Sequence, residues 1–274
     1  MLNVTTLYAV DSTATKVMET TELRDHFHVE GMFEAGRINL TYTHYDRMIV
    51  GAAVPEGGSL ILDNVSETGT ASILDRREMG ILNIGAPGTI ICGGESYLLK
   101  HGDILYLGMG AGPVSFEGEG RFYITSAPAH RALPTRLVSI SDAKSVKLGM
   151  AETANERTIY MFIHPEVMES CQLVMGYTMF HRGSVWNTMP AHLHDRRIEV
   201  YMYFDLSDEN RVFHFMGRPE ETRHIVVKNE EAVISPPWSV HCGVGTGNYT
   251  FCWVMAGDNV NYQDLEIVAM ENLR

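Results

Sequence analysis

Apolar residues in this chain come in short runs, either continuous or alternating with polar ones, and glycine-bearing turns separate them. Met79 to Ile84, Thr89 to Cys92, Glu95 to Leu99, Ile104 to Leu107, Val114 to Glu117 and Arg121 to Ser126 are the clearest examples. Runs of this length with turn signals at close intervals predict an antiparallel all-β protein, a sandwich or jelly roll. One segment breaks the pattern. Thr21 to Val29 spaces Leu23 and Phe27 four apart behind a possible capping Thr21, which predicts a short helix. Residues 132–156 have mixed polarity and weak periodicity, and predict a connector with a short helical turn around Ser141 to Lys144. The chain therefore divides into an N-terminal half, 1–131, this connector, and a C-terminal half, 157–274.

The two halves look related. Asp75-Arg76-Arg77-Glu78 precedes a strand in the first, as Asp195-Arg196-Arg197-Ile198-Glu199 does in the second. Gly102 to Gly108 similarly parallels Glu230 to Pro236, with a loop insertion expected around Asp208 to Glu221. Where the second half carries histidines, the first carries Ala71, Ile73 and Pro113, so it reads as a metal-free structural repeat.

The second half holds the chemistry. His192-Leu193-His194 places two imidazoles on one face of a strand, because side chains two apart point the same way. Glu199 lies an odd number of residues from both histidines, and a straight strand would turn it away. The polar run Asp195-Arg196-Arg197 offers the turn or bulge that brings it back on the next strand. That strand, from Glu199 through Phe204, is dense in aromatic and β-branched residues. Further on, Pro236-Pro237 ends an apolar run, and the segment from Trp238 to Val244 can carry His241 inward. Surface histidines would explain a lone His-x-His. With Glu199 and His241 added, the better reading is one divalent metal held by His192, His194, Glu199 and His241. This donor set suits zinc, manganese, iron or nickel alike. A second His-x-His, His26-Phe27-His28 near Glu30, falls at the end of the predicted helix, where positions two apart do not share a face. Those histidines are expected at the surface.

Composition narrows the picture. At 274 residues, with 45% hydrophobic and 20% charged, the chain is an ordinary globular protein with ample core. Its formal charge of -13 argues against wholesale binding to nucleic acid or an anionic membrane, and leaves anion binding only where arginines concentrate. No signal peptide is visible in Met1 to Lys16, and no apolar segment is long enough to span a bilayer. Cys92, Cys171, Cys242 and Cys252 lack paired spacing and are expected as buried thiols.

The ligand spacing resembles the cupin superfamily, whose first motif supplies His-x-His-x(4)-Glu and whose second supplies the last histidine. Trp238 stands where the second motif usually has glycine, and the glycine expected after the glutamate is displaced. A closer similarity is to the 5-keto-4-deoxyuronate isomerase family of cupins. It rests on Trp186-Asn187-Thr188-Met189-Pro190 leading into His192-x-His194, on Arg196-Arg197-Ile198-Glu199-Val200-Tyr201, on Glu221-Thr222-Arg223-His224-Ile225-Val226 and on Trp238-Ser239-Val240-His241-x-Gly243-Val244-Gly245-Thr246. In the first half, Arg76-Arg77-Glu78-x-Gly80-Ile81-Leu82-Asn83-Ile84-Gly85 and Ala127-Pro128-Ala129-His130 also fit.

The resemblance implies a bicupin, two antiparallel jelly-roll barrels with a few short helices. It also implies Zn(2+), one per subunit, on those four residues, a homohexamer, a bacterial cytoplasmic location and a place in pectin breakdown. The implied reaction converts 5-dehydro-4-deoxy-D-glucuronate to 3-deoxy-D-glycero-2,5-hexodiulosonate with no redox cofactor; proton transfer through an enediol is the preferred route and a metal-assisted hydride shift the competing one. A positioned base must then carry a proton between two carbons, and Glu199 or His224 is the candidate. Tyr201 and Tyr203 could line the cavity. The substrate's carboxylate calls for a guanidinium, Arg223 first and Arg197 second. Three other readings compete: an isomerase of deoxyglucuronate in inositol catabolism, a metal-dependent cupin dioxygenase, and a non-catalytic sugar-binding cupin.

Overall fold

A computed structural model describes residues 1–274. The chain forms two units, each a pair of facing sheets. The first comprises Met1–Leu7, Gly31–Lys144 and Phe162–Val174; the second comprises Tyr8–Glu30, Ser145–Met161 and Met175–Arg274. Cuts at 131 and 157 therefore miss two exchanges. Tyr8–Glu30 belongs with the second unit, and Phe162–Val174 with the first.

In the first unit a seven-stranded sheet runs in the order Leu2–Leu7, Arg37–Thr43, Ile49–Val54, Phe122–Pro128, Arg77–Asn83, Ile104–Leu107, Arg136–Val138. Its partner is a four-stranded sheet in the order Leu60–Leu62, Val114–Gly118, Gly88–Cys92, Glu95–Leu99. Ile38, Leu40, Met79, Ile81, Ile90, Phe116 and Phe122 fill the core between them, every second residue along each strand facing inward. All but the Leu2–Leu7 pairing, which is parallel to Arg37–Thr43, are antiparallel.

The second unit repeats the design. Its seven-stranded sheet runs Lys144–Leu148, Arg157–Ile163, Val174–Phe180, Thr250–Gly257, Arg197–Phe204, Glu231–Ser235, His28–Val29. The facing sheet runs Glu221–Val227, Val212–Arg218, His241–Gly245, Trp186–Leu193, Glu266–Ile267. Arg77–Asn83 and Arg197–Phe204 thus hold corresponding places in their sheets, with Met79 rather than Glu78 at the place of Glu199. The extra length expected as a loop insertion at 208–221 is shared between loop and strand: residues 205–211 form a longer connection than residues 84–87, and Val212–Arg218 pairs with Glu221–Val227 in a hairpin longer than its counterpart Gly88–Cys92 with Glu95–Leu99. No helix is long and apolar enough to cross a membrane.

The helix spans Thr20–Phe27, with Leu23 and Phe27 buried and Glu19 rather than Thr21 at the cap position. It ends earlier than its apolar spacing suggests because His28–Val29 adds a short strand beside Val233 and Ala232. His28 is consequently buried, not superficial: its Nε2 lies 2.9 Å from Glu231 Oε2. The connector also contains strands, Arg136–Val138 and Lys144–Leu148; a turn closes near the expected place, with the amides of Asp142 and Ala143 donating to the Ser139 carbonyl, and a 3-10 turn follows at Ala151–Thr153. All four cysteines are buried free thiols.

Candidate metal centre and adjoining cavity

Three strands bring the four predicted donors together. His192 is in Trp186–Leu193, pairing directly with His241 of the neighbouring strand. The register between these two strands slips between Asn187 and His192, and this irregularity aims the histidine pair. His194 follows the strand end, residues 195 and 196 make the turn, and Glu199 lies on the inner face of Arg197–Phe204. The polar turn does restore the carboxylate to the histidine side.

His192 Nε2 lies 3.1 Å from His194 Nε2 and 3.1 Å from His241 Nε2. Glu199 Oε2 lies 2.8 Å from Nε2 of His194 and 2.8 Å from that of His241. The four donors close a ring whose members all lie within 4.8 Å of one another. Donors bound to one ion at about 2.1 Å each lie about 3 Å apart, so edges of 2.8–3.1 Å would let all four reach a single divalent ion. The donor set fits a divalent metal.

The surroundings prepare the imidazoles. His194 Nδ1 donates to the Asp264 carbonyl at 3.0 Å, which orients the ring so that Nε2 would be the ligating atom once a cation replaces its proton. Burial and then the neighbouring His241 push the His192 imidazole down to about 3, which leaves it neutral at physiological pH. Burial alone would raise the Glu199 carboxyl, but His241 and the hydrogen bond from His194 hold it well below the usual carboxylate range.

A cavity of about 370 Å³ opens beside His192, His194 and Glu199. Phe251, Trp253 and Met255 give it an apolar wall, and Tyr201 and Tyr262 add hydroxyls. Tyr201 Oη lies 2.8 Å from the Thr188 hydroxyl, and burial pushes its phenol well above the usual value. Thr188 has φ of 51°, unusual for a β-branched residue, in a segment that lines the cavity.

Arg157 is the only lysine or arginine in the lining. Its Nη1 donates to the Asn155 carbonyl at 2.9 Å, while Nε and Nη2 make no hydrogen bond within the chain. Sequence reasoning missed it, since a single arginine opening a strand beside the connector carries no pattern.

The other predicted residues lie elsewhere. Arg223 clamps the carbonyls of Thr15 and Met18 and does not line the cavity. His224 is exposed, its ring 6.2 Å from that of Phe213. Arg197 is 1% exposed and lies behind the donors, its Nη2 donating at 2.9 Å to the same Asp264 carbonyl that receives His194. Its Nε and Nη1 are buried without a partner. Tyr203 is buried, its hydroxyl hydrogen-bonded to His214 Nδ1 at 2.7 Å. Burial pushes His214 down to about 3, so the ring is neutral. In the first unit Glu78 is spent differently. It accepts from Tyr106 Oη and from the backbone amides of Cys171, Gln172 and Leu173 at 2.6–2.7 Å.

Residues 67–270 match the model of the KduI/IolB family. The chain belongs to that family. A 4-deoxy-L-threo-5-hexosulose-uronate ketol-isomerase of Cereibacter sphaeroides is 67% identical over 274 residues, all of both chains. The protein of that name from Agrobacterium fabrum is 58% identical over all of both chains, and that of Halalkalibacterium halodurans 51%, over 97% of this chain and 99% of that one. Among solved structures, an IolB-like protein of Salmonella typhimurium superposes with a TM-score of 0.64 at 16% identity, covering 81% of this chain and 86% of that one. Bacillus subtilis oxalate decarboxylase gives 0.54 at 9% identity, over 78% and 70%. These last two likenesses establish the bicupin fold within which the KduI/IolB sequence sits.

Proposed function

We propose that this chain is the ketol-isomerase that converts 5-dehydro-4-deoxy-D-glucuronate to 3-deoxy-D-glycero-2,5-hexodiulosonate in uronate catabolism. One Zn(2+) per subunit is its resident ion, on His192, His194, Glu199 and His241. The observation that carries this reading is the pairing of a ring of four metal-ligating side chains with a single free guanidinium in one cavity. A divalent ion bound there supplies positive charge that acidifies the carbon beside a carbonyl.

The chain's own residues do the rest. Arg157 receives the substrate carboxylate on its free Nε–Nη2 edge, the side that matches two carboxylate oxygens. That fixes which end of the sugar faces the donor ring. Tyr201, which keeps its proton, donates from Oη to a substrate oxygen, and Thr188 holds that hydroxyl in place. Glu199 Oε1, unused by the ring, can take the proton from one carbon and return it to the next. Phe251, Trp253 and Met255 exclude water from the carbanionic centre. Arg197 and Tyr203 act from behind by orienting His194 and His214. Arg223 and His224 are assigned no contact with substrate.

Supplying the 5-keto uronate to the zinc-loaded protein in heavy water and following it by NMR tests the assignment. Isomerisation with deuterium entering at carbon supports transfer through an enediol. Absence of isomerisation with metal bound removes the reading. Assembly as a homohexamer and a cytoplasmic location come with the family resemblance, and light scattering in solution checks the former.

A further inference from the structure

The first unit has a cavity of its own, about 210 Å³, at the start of Arg77–Asn83. That strand holds the place in its sheet that Arg197–Phe204 holds in the second unit. The strand contributing Tyr42 to this cavity, Arg37–Thr43, likewise corresponds to the strand that carries Arg157. The cavity is therefore the first unit's counterpart of the metal cavity, and its lining has changed from imidazole to guanidinium.

Arg47, Arg76 and Arg77 all line it. None forms an ion pair with a carboxylate. Arg77 is 4% exposed, with Nε donating to Ser126 Oγ at 3.0 Å and Nη2 to the carbonyls of Arg47 and Ser126. Its Nη1 makes no hydrogen bond. Burial, together with the nearby positive Arg47, brings this guanidinium down to about 10, so it still carries its charge. The one acid in the lining, Glu67, accepts from the hydroxyls of Thr6 and Ser66 and neutralises none of the three.

Three guanidinium groups and one carboxylate around one concavity leave a local excess of positive charge in a chain of net charge -13. A purely structural Arg77 would need neither Arg47 nor Arg76 beside it, and each of these exposed cations repels the buried charge of Arg77. A bound anion offsets that repulsion. We propose that this cavity binds a small carboxylate- or phosphate-bearing anion through Arg47, Arg76 and the free nitrogen of Arg77. At about 30 Å³ per water, its volume replaces about seven waters, which suits a phosphate or a small sugar acid.

The test is calorimetric titration of the zinc-loaded full chain at fixed ionic strength in chloride, with inorganic phosphate, galacturonate and neutral galactose as probes. One anion, but not galactose, is expected to bind, and Arg47→Gln/Arg76→Gln is expected to weaken it tenfold or more. Both replaced side chains are exposed, so the fold is expected to survive, as a circular-dichroism melt would show. Preference for phosphate or for galacturonate supports the proposal and names the group. Binding that persists undiminished in the double variant lies elsewhere, at the metal cavity for instance, and overturns it. So does absence of anion binding in the unaltered protein, or dissociation of its oligomer on the double substitution, which would make the cavity a subunit contact.

Discussion

Arg157→Met removes the only lysine or arginine from the lining of the metal cavity. In the folded chain one of its terminal nitrogens is occupied by Asn155 and the Nε–Nη2 edge is free, so a carboxylate can gain two charge-assisted hydrogen bonds. Each such bond is worth about 1.5–3 kcal/mol when buried. Arg157 is only partly buried, so solvent screening favours the lower end, and the pair together contributes about 3 kcal/mol. At 1.36 kcal/mol per decade this is roughly a hundredfold in kcat/KM. Most of the loss should fall on KM, because the carboxylate is held alike in ground and transition states. Arg157→Lys should recover part of it, since lysine restores the charge without the planar fork. The assay compares each variant on the uronate and on an analogue whose carboxylate is replaced by a neutral amide, with zinc content measured alongside. The analogue should react equally slowly with all three proteins. An equal fractional loss on both substrates would refute the carboxylate role, and so would an unchanged KM for the uronate.

His192→Ala or His241→Ala should bind less than a tenth of the zinc held by the unaltered protein, as read by elemental analysis, while the far-ultraviolet dichroism stays that of a β-protein. Global unfolding would instead make the ion structural. Tyr201→Phe deletes the hydroxyl beside Thr188 and should lower kcat by about 10²-fold with zinc retained, the low end for loss of a proton-handling group. Glu231 offers a pH test away from the metal. Burial would raise its carboxyl, but the hydrogen bond with His28 prevails and its folded value is depressed. Its contribution to stability is therefore complete above the ordinary carboxylate range and is lost as pH falls through the lowered folded value. Denaturant titrations should show Glu231→Gln less stable by about 1–3 kcal/mol at pH 7, with the difference shrinking in acid. A pH-independent difference would contradict this linkage.

Sequence alone determined what depends on local order. Alternation and turn chemistry marked six strands of the first half, between Arg77 and Pro128, to within two residues, because pleat period and glycine punctuation are local properties; Leu2–Leu7, Arg37–Thr43, Ile49–Val54 and Leu60–Leu62 went unmarked. The donors His192, His194, Glu199 and His241 were legible for the same reason: strand parity and the turn at 195–196 decide which side each faces. What depends on packing between distant segments was not legible. The burial of His28 needed Glu231, two hundred residues away, and the expected helix yielded its end to that strand pairing. Arg223 satisfied the motif yet serves the Thr15–Met18 loop, whereas Arg157, with no motif, faces the donors. A guanidinium's role is set by which of its edges remains free after the fold has used the others, and only the tertiary structure decides that.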